Sequence, residues 1–112
     1  MTINEYQRLA MVTANKRLTQ REMLENGVMG LCGEAGETID IVKKHLFHSH
    51  PLNKEKLLEE LGDVAWYLAI SAYALDADLD KVLSDNIEKL KRRYPEGFDP
   101  DRSLNRKKYG VE

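Results

Sequence analysis

Apolar residues return every three or four positions along most of this chain, and the period-two alternation of a half-buried strand is absent. Four amphipathic segments follow from that spacing: about Ile3 to Thr13, about Gln20 to Phe47, about Lys54 to Leu75, and about Leu79 to Tyr94. Between the second and third, His48-Ser49-His50-Pro51-Leu52-Asn53 reads as a loop with Asn53 as the N-cap of the next helix. Asp76-Ala77-Asp78 is an acidic turn that starts the fourth, and Pro95-Glu96-Gly97-Phe98 ends it. The expected fold is all-α and four-helix-bundle-like, a single domain over residues 1–112 in which 99–112 form a polar C-terminal tail on the surface or on a neighbour.

At 100° per residue the second helix aligns Val28, Leu31, Cys32, Ala35, Ile39, Val42 and Leu46 in one apolar stripe. The third aligns Leu57, Leu61, Val64, Leu68 and Leu75 as a core seam, with Glu60, Asp63 and Tyr67 at its edge. A short loop makes the two helices antiparallel neighbours, which brings their edges together. Trp66, Ile70 and Tyr73 form a further apolar flank that a lone bundle would leave exposed, so the chain is expected to assemble as a homo-oligomer.

Carboxylates change the picture. Glu34-Ala35-Gly36-Glu37 and Glu60-Leu61-Gly62-Asp63 each put two acids at i and i+3, on one face of a helix and beside its apolar stripe. Four acids on two packed helices repel one another and need a cation to offset them. With oxygen ligands only, that cation is expected to be Mg²⁺ or Mn²⁺, ions that are commonly shared with substrate phosphates. A third pair on the second helix, Glu22 and Glu25, projects away from the stripe and is expected to be ordinary solvated surface. Gly30, Gly33, Gly36 and Gly62 sit inside helical stretches at a cost of about 1 kcal/mol each, which fits close approach of a neighbouring helix or of a ligand.

Cations occupy the fourth helix at a matching margin. Asn86, Lys89 and Arg93 follow i, i+3, i+7 spacing, and such side chains suit phosphate oxygens. Lys44 lies near the direction of Glu37 and either screens the acids or touches a polyphosphate. Tyr67, one turn beyond Asp63, suits a sugar or phosphate contact, and Tyr6 or Trp66 is the candidate to stack on a base. Neither acid pair continues into an E-x-x-H iron motif, and His45, His48 and His50 are read as structural or surface residues. Cys32, the single cysteine, is expected to be a small buried apolar residue; no disulfide or CxxC motif is possible.

Bulk properties remove other classes. The formal net charge is −2 with 32% charged residues, so no basic field points to a nucleic-acid polymer as partner. No apolar run approaches the roughly 20 residues of a membrane span, and the start has no basic segment ahead of an apolar one, so a cytoplasmic chain is expected.

The combined pattern resembles the MazG-like nucleotide pyrophosphohydrolases, marked by E-x-x-E, a spacer and E-x-x-D. The marks are Glu34, Glu37, Glu60 and Asp63, within Gly33 to Glu37 and Glu59 to Leu68, and the likeness continues through Asn86 to Pro95, covering about Leu24 to Phe98. The resemblance implies Mg²⁺ held by those four acids, a dimer or tetramer, and hydrolysis of a nucleoside triphosphate between its α and β phosphates, with a house-cleaning role as one possibility. On that reading Glu37 and Glu34 are the catalytic candidates, Glu37 taking a proton from the attacking water, while Lys89, Arg93, Asn86, Tyr67 and Lys44 bind substrate. Three alternatives stay open: a phosphoribosyl-ATP pyrophosphohydrolase-like enzyme, a non-catalytic metal-stabilised helical oligomerisation module, and a nucleotide-binding regulator that does not hydrolyse its ligand.

Overall fold

A computed structural model describes residues 1–111; Glu112, the last residue of the expected tail, lies outside the described residues. Helices α1 (Ile3–Val12), α2 (Gln20–Phe47), α3 (Lys54–Ala74), α4 (Leu79–Arg93), α5 (Pro100–Leu104) and α6 (Arg106–Tyr109) make up an all-α chain with no strand among those residues. The chain divides into two compact units, Met1–Leu79 and a second that begins at Asp80.

Local chemistry fixes the helix starts of the first unit. The Thr2 hydroxyl accepts from the Glu5 amide at α1, and the Asn53 carbonyl oxygen accepts from the Lys56 amide at α3. At α2 a capping box closes both ways: Glu22 donates its amide to Thr19 Oγ1 and returns a carboxylate oxygen to the Thr19 amide. Glu22 is thus a capping residue on the solvent side, and Glu25 pairs with Arg21 at 3.1 Å, both as expected for surface acids.

Helices α2 and α3 form an antiparallel hairpin whose register can be read from residue against residue: Gly27 faces Ser71, Gly30 faces Tyr67, and Glu34 faces Glu60. A Cβ on Gly30 would overlap the Tyr67 ring, so this glycine serves helix crossing. Buried and half-buried positions of α2 (Met23, Gly27, Gly30, Glu34, Thr38, Ile41) and of α3 (Leu57, Glu60, Val64, Tyr67, Ser71, Ala74) both recur at three- and four-residue intervals. The hairpin seam therefore contains Gly27, Gly30 and two acids. The leucines expected to line it are mostly elsewhere.

Here the sequence expectation is corrected. On α3 the Trp66 and Ile70 flank, expected to be exposed, is covered: α1 packs on it, Ile70 is 1% exposed, and the Trp66 indole N–H donates to Ala10 O at 3.2 Å and Thr13 Oγ1 at 3.0 Å. Ala10, Ala69 and Leu79 form one small core with Tyr6 and Trp66 against it; Met23, Ile70 and Ala74 form the other. Trp66 and Tyr6 are consequently packing residues in this chain, not free base-stacking platforms. Tyr73 does stay half out, as expected of that flank. The expected core seam is the part left open, with Leu61 49%, Leu68 38% and Leu75 62% exposed. On α2, Val28, Ile39 and Leu46 are exposed, and Cys32 is a free, exposed thiol where a buried one was expected. The physical reason is that α3 is apolar on more than one face, and periodicity alone does not say which face α1 will cover.

One buried amide ties the turn after α3 to α1. Gln7 donates from Nε2 to Ala69 O and Ala77 O and accepts at Oε1 from the Leu79 amide, so every polar atom of this buried side chain has a partner. Gln20 likewise donates to Ala74 O and to Asp76, whose φ of 56° reverses the chain.

In the second unit the described residues after Phe98 include two short helices, α5 and α6. Asp99 caps α5, whose first residue is Pro100. Arg102 then donates to Arg93 O and Arg92 O, satisfying carbonyls at the end of α4, and its guanidinium lies 4.1 Å from the centre of the Tyr109 ring. Asp101 accepts from Tyr109, Asn105 and Lys108. Gly110, with φ 68°, ends α6 in the left-handed conformation that glycine tolerates best. No helix among the described residues is long and apolar enough to cross a membrane.

Candidate metal centre

Glu34 and Glu37 leave α2 on the side that meets α3, and Glu60 answers from a seam position of α3 at 3% exposure. Each of the three offers a carboxylate oxygen, and these oxygens lie within 4.8 Å of one another. Asp63 is not in this tight group, yet its charge acts on Glu34 from one turn along α3 and also on the Tyr6 hydroxyl, whose pKa burial and then Asp63 push upward.

Electrostatics record the crowding. Glu34 is pushed up to about 7, first through a hydrogen bond shared with Glu60, then by desolvation, then by the charges of Glu37, Glu60 and Asp63. Glu60 moves the other way, held down by that shared bond and by Lys56, whose ammonium lies 3.1 Å from Oε1. Without a cation, then, Glu34 keeps a proton close to neutral pH while Glu60 stays charged. Oε2 of Glu34 and Oε2 of Glu60 are buried and meet no hydrogen-bond donor beyond the proton that the acids share. Orphaned carboxylate oxygens of this kind are costly, and a hard divalent ion is what all-oxygen donors at such spacing accommodate. The residues present fit that group.

The other sequence candidates fall in different places. Tyr67 borders the acids in the hairpin seam, its ring against Gly30 and edge-on to Trp66 with centroids 5.0 Å apart. Lys44 turns to Asp40 instead of Glu37, at 2.9 Å, and Lys43 joins the same carboxylate at 3.1 Å. The i, i+4 partner was simply nearer than the acids a further turn away. Asn86, Lys89 and Arg93 belong to α4 in the second unit, where Lys89 and Arg93 line a cavity of about 270 Å³ with Arg92, Gly110 and Val111. His45 Nδ1 bonds His50 O and so braces the α2–α3 loop, in keeping with a structural histidine. Of the glycines, Gly33, Gly36 and Gly62 meet nothing within 4 Å, so helix crossing within the chain does not explain them.

Lys56 was missed by sequence reasoning, although its i, i+4 spacing to Glu60 is a legible signal.

An all-helical hairpin whose seam gathers acids with two unsatisfied oxygens defines a class of protein: a helical domain built around a carboxylate centre. The chain belongs to the MazG nucleotide pyrophosphohydrolase family, whose domain model matches residues 23–98. That span takes in α2, α3, α4 and the turn to Phe98, and leaves out α1, α5 and α6. The gene 37 protein of Mycobacterium phage L5 is 42% identical over 80 residues, covering 68% of this chain and 70% of that protein. No solved structure matches the chain.

Proposed function

We propose that this chain is a Mg²⁺-dependent nucleoside triphosphate pyrophosphohydrolase, which converts a (deoxy)nucleoside triphosphate to the monophosphate and pyrophosphate and acts as a house-cleaning enzyme. The observation that carries the reading is the trio Glu34, Glu37 and Glu60 with its buried, donorless oxygens, in a chain of a nucleotide pyrophosphohydrolase family. Glu34, Glu37, Glu60 and, from the next turn, Asp63 would hold the ion, with Mn²⁺ as a substitute. Bound there, it would neutralise phosphate charge and acidify a water.

The chain's own residues then have distinct tasks. Glu37, the exposed member of the trio, accepts the proton of the water as its oxygen bonds to the α phosphorus. The bond from that phosphorus to the α–β bridging oxygen breaks, and pyrophosphate carries the electron pair away. Lys89, Arg93 and Asn86 are the proposed phosphate-holding side chains, and Tyr67 the contact to sugar or phosphate. Lys44, which pairs with Asp40 at the surface, is a further proposed phosphate contact.

A homodimer or homotetramer belongs to the same proposal. Its support is the apolar surface that one chain leaves open, Leu61, Leu68 and Leu75 on α3 with Ile39 and Leu46 on α2, and the empty space over Gly33, Gly36 and Gly62.

The test is a panel of canonical and modified nucleoside triphosphates with Mg²⁺, products separated by chromatography. Monophosphate plus pyrophosphate is the expected pair. Diphosphate plus phosphate, or intact triphosphate recovered from a bound complex, would overturn the assignment.

A further inference from the structure

Lys56 stands in a place that helix energetics disfavours. It lies in the first turn of α3, where the helix dipole opposes a cation, and its acid Glu60 follows it by four residues, the weaker of the two orders for such a pair. Asn53 fixes this geometry by accepting the Lys56 amide at 3.0 Å, so the ammonium is set one turn ahead of Glu60. It bridges to Glu59 at 3.6 Å and to Glu60 at 3.1 Å while remaining half exposed.

The contact divides the two oxygens of Glu60. Oε1 faces the ammonium; Oε2 is buried, meets no donor outside the acids, and belongs to the carboxylate that joins Glu34 and Glu37. A carboxylate held at one oxygen has fewer rotamers open to it, and its free oxygen is presented in one direction. Groups that grip a ligand from behind in this way commonly contribute 10- to 100-fold to metal affinity. Because the ammonium sits at the rim, solvent screens its repulsion of an arriving cation, whereas its hold on Glu60 is local.

We propose that Lys56 is a positioning residue for the centre: it anchors Glu60 by Oε1 so that Oε2 is preset to receive a divalent ion. The inference rests on the divalent-ion reading of the acids, and the experiment separates the two. MgCl2 is titrated calorimetrically into the full chain, without nucleotide, for the wild type, Lys56→Met, Lys56→Arg and Lys54→Met. Lys56→Met should weaken Mg²⁺ binding by about 10- to 100-fold, Lys56→Arg should recover most of that loss because its fork can still grip one oxygen, and the exposed Lys54→Met should bind as the wild type does. Circular dichroism confirms folding; if Lys56→Met does not fold, Lys56→Gln takes its place. Unchanged or tighter Mg²⁺ binding in the folded Lys56 variant, beside a wild type that binds, overturns the positioning role alone. A wild type that binds no Mg²⁺ overturns the metal reading and the inference with it.

Discussion

The α2–α3 hairpin has two ends that solve opposite problems. At the end where α1 lies, Met23, Ile70 and Ala74 pack with Trp66, Met11 and Leu18 against them, and the turn polar groups are closed by Gln7 and Gln20. Towards the other end, Glu34 and Glu60 occupy seam positions with oxygens that no donor outside the acids satisfies among the described residues, and Gly33, Gly36 and Gly62 meet open space. Both ends share one register and one pair of helices. The difference teaches that the first region holds the hairpin together, so the second can keep charges in proximity at a cost to stability.

The comparison breaks most sharply at Glu60. Glu60→Gln should cut pyrophosphate release by more than about 100-fold, beyond what a partner behind the ligands typically contributes, while the protein stays folded in EDTA by circular dichroism. Retained Mg²⁺-dependent turnover would refute the assignment. At the packed end Ile70→Ala should do the reverse, lowering stability by about 2–5 kcal/mol in chemical denaturation, with turnover per folded molecule preserved.

Glycines sharpen the contrast. Gly30→Ala should destabilise by about 1–3 kcal/mol, since the added methyl would have to displace the Tyr67 ring. Gly36→Ala meets nothing within the chain and should cost less stability than Gly30→Ala; equal losses in the two variants would erase the distinction.

A pH series on metal-free protein probes the acid end directly. Glu34 is raised from 4.5 to about 7 in the folded chain, so folding favours its protonated form. Its contribution is fully present below about 4.5 and is lost as pH rises through 7. Melting in EDTA should therefore occur at higher temperature near pH 5 than near pH 8, and saturating Mg²⁺ should flatten that slope. The smallest effect is expected at Glu22→Gln, within about 0.5 kcal/mol and with unchanged turnover, because the amide oxygen of Gln can still cap Thr19.

Much of the site was legible because a helix converts spacing into direction: residues three or four apart share a face wherever the helix lies, so Glu34, Glu37 and Glu60 could be grouped from the chain alone. Asp63 was grouped with them by the same rule, yet it stands one turn outside the tight cluster. Lys44, whose direction along the helix points towards Glu37, pairs with the nearer acid Asp40. A lysine one turn ahead of a glutamate is common on solvated helices, and only burial of Glu60 gives the Lys56–Glu60 pair weight.

Periodicity and capping residues by themselves determined the four main helices, the loop at His48–Asn53 and the pairing of acids on one face of each helix, since these depend on neighbours within a few residues. Tertiary structure alone decided which apolar face of α3 became core, covering Trp66 and Ile70 and leaving Leu61, Leu68 and Leu75 open. It also decided that Asp99 to Val111 fold around Arg102 and Asp101. A helix apolar on two sides gains similarly from burying either, and the choice is made by a partner, here α1, whose docking geometry no local pattern encodes.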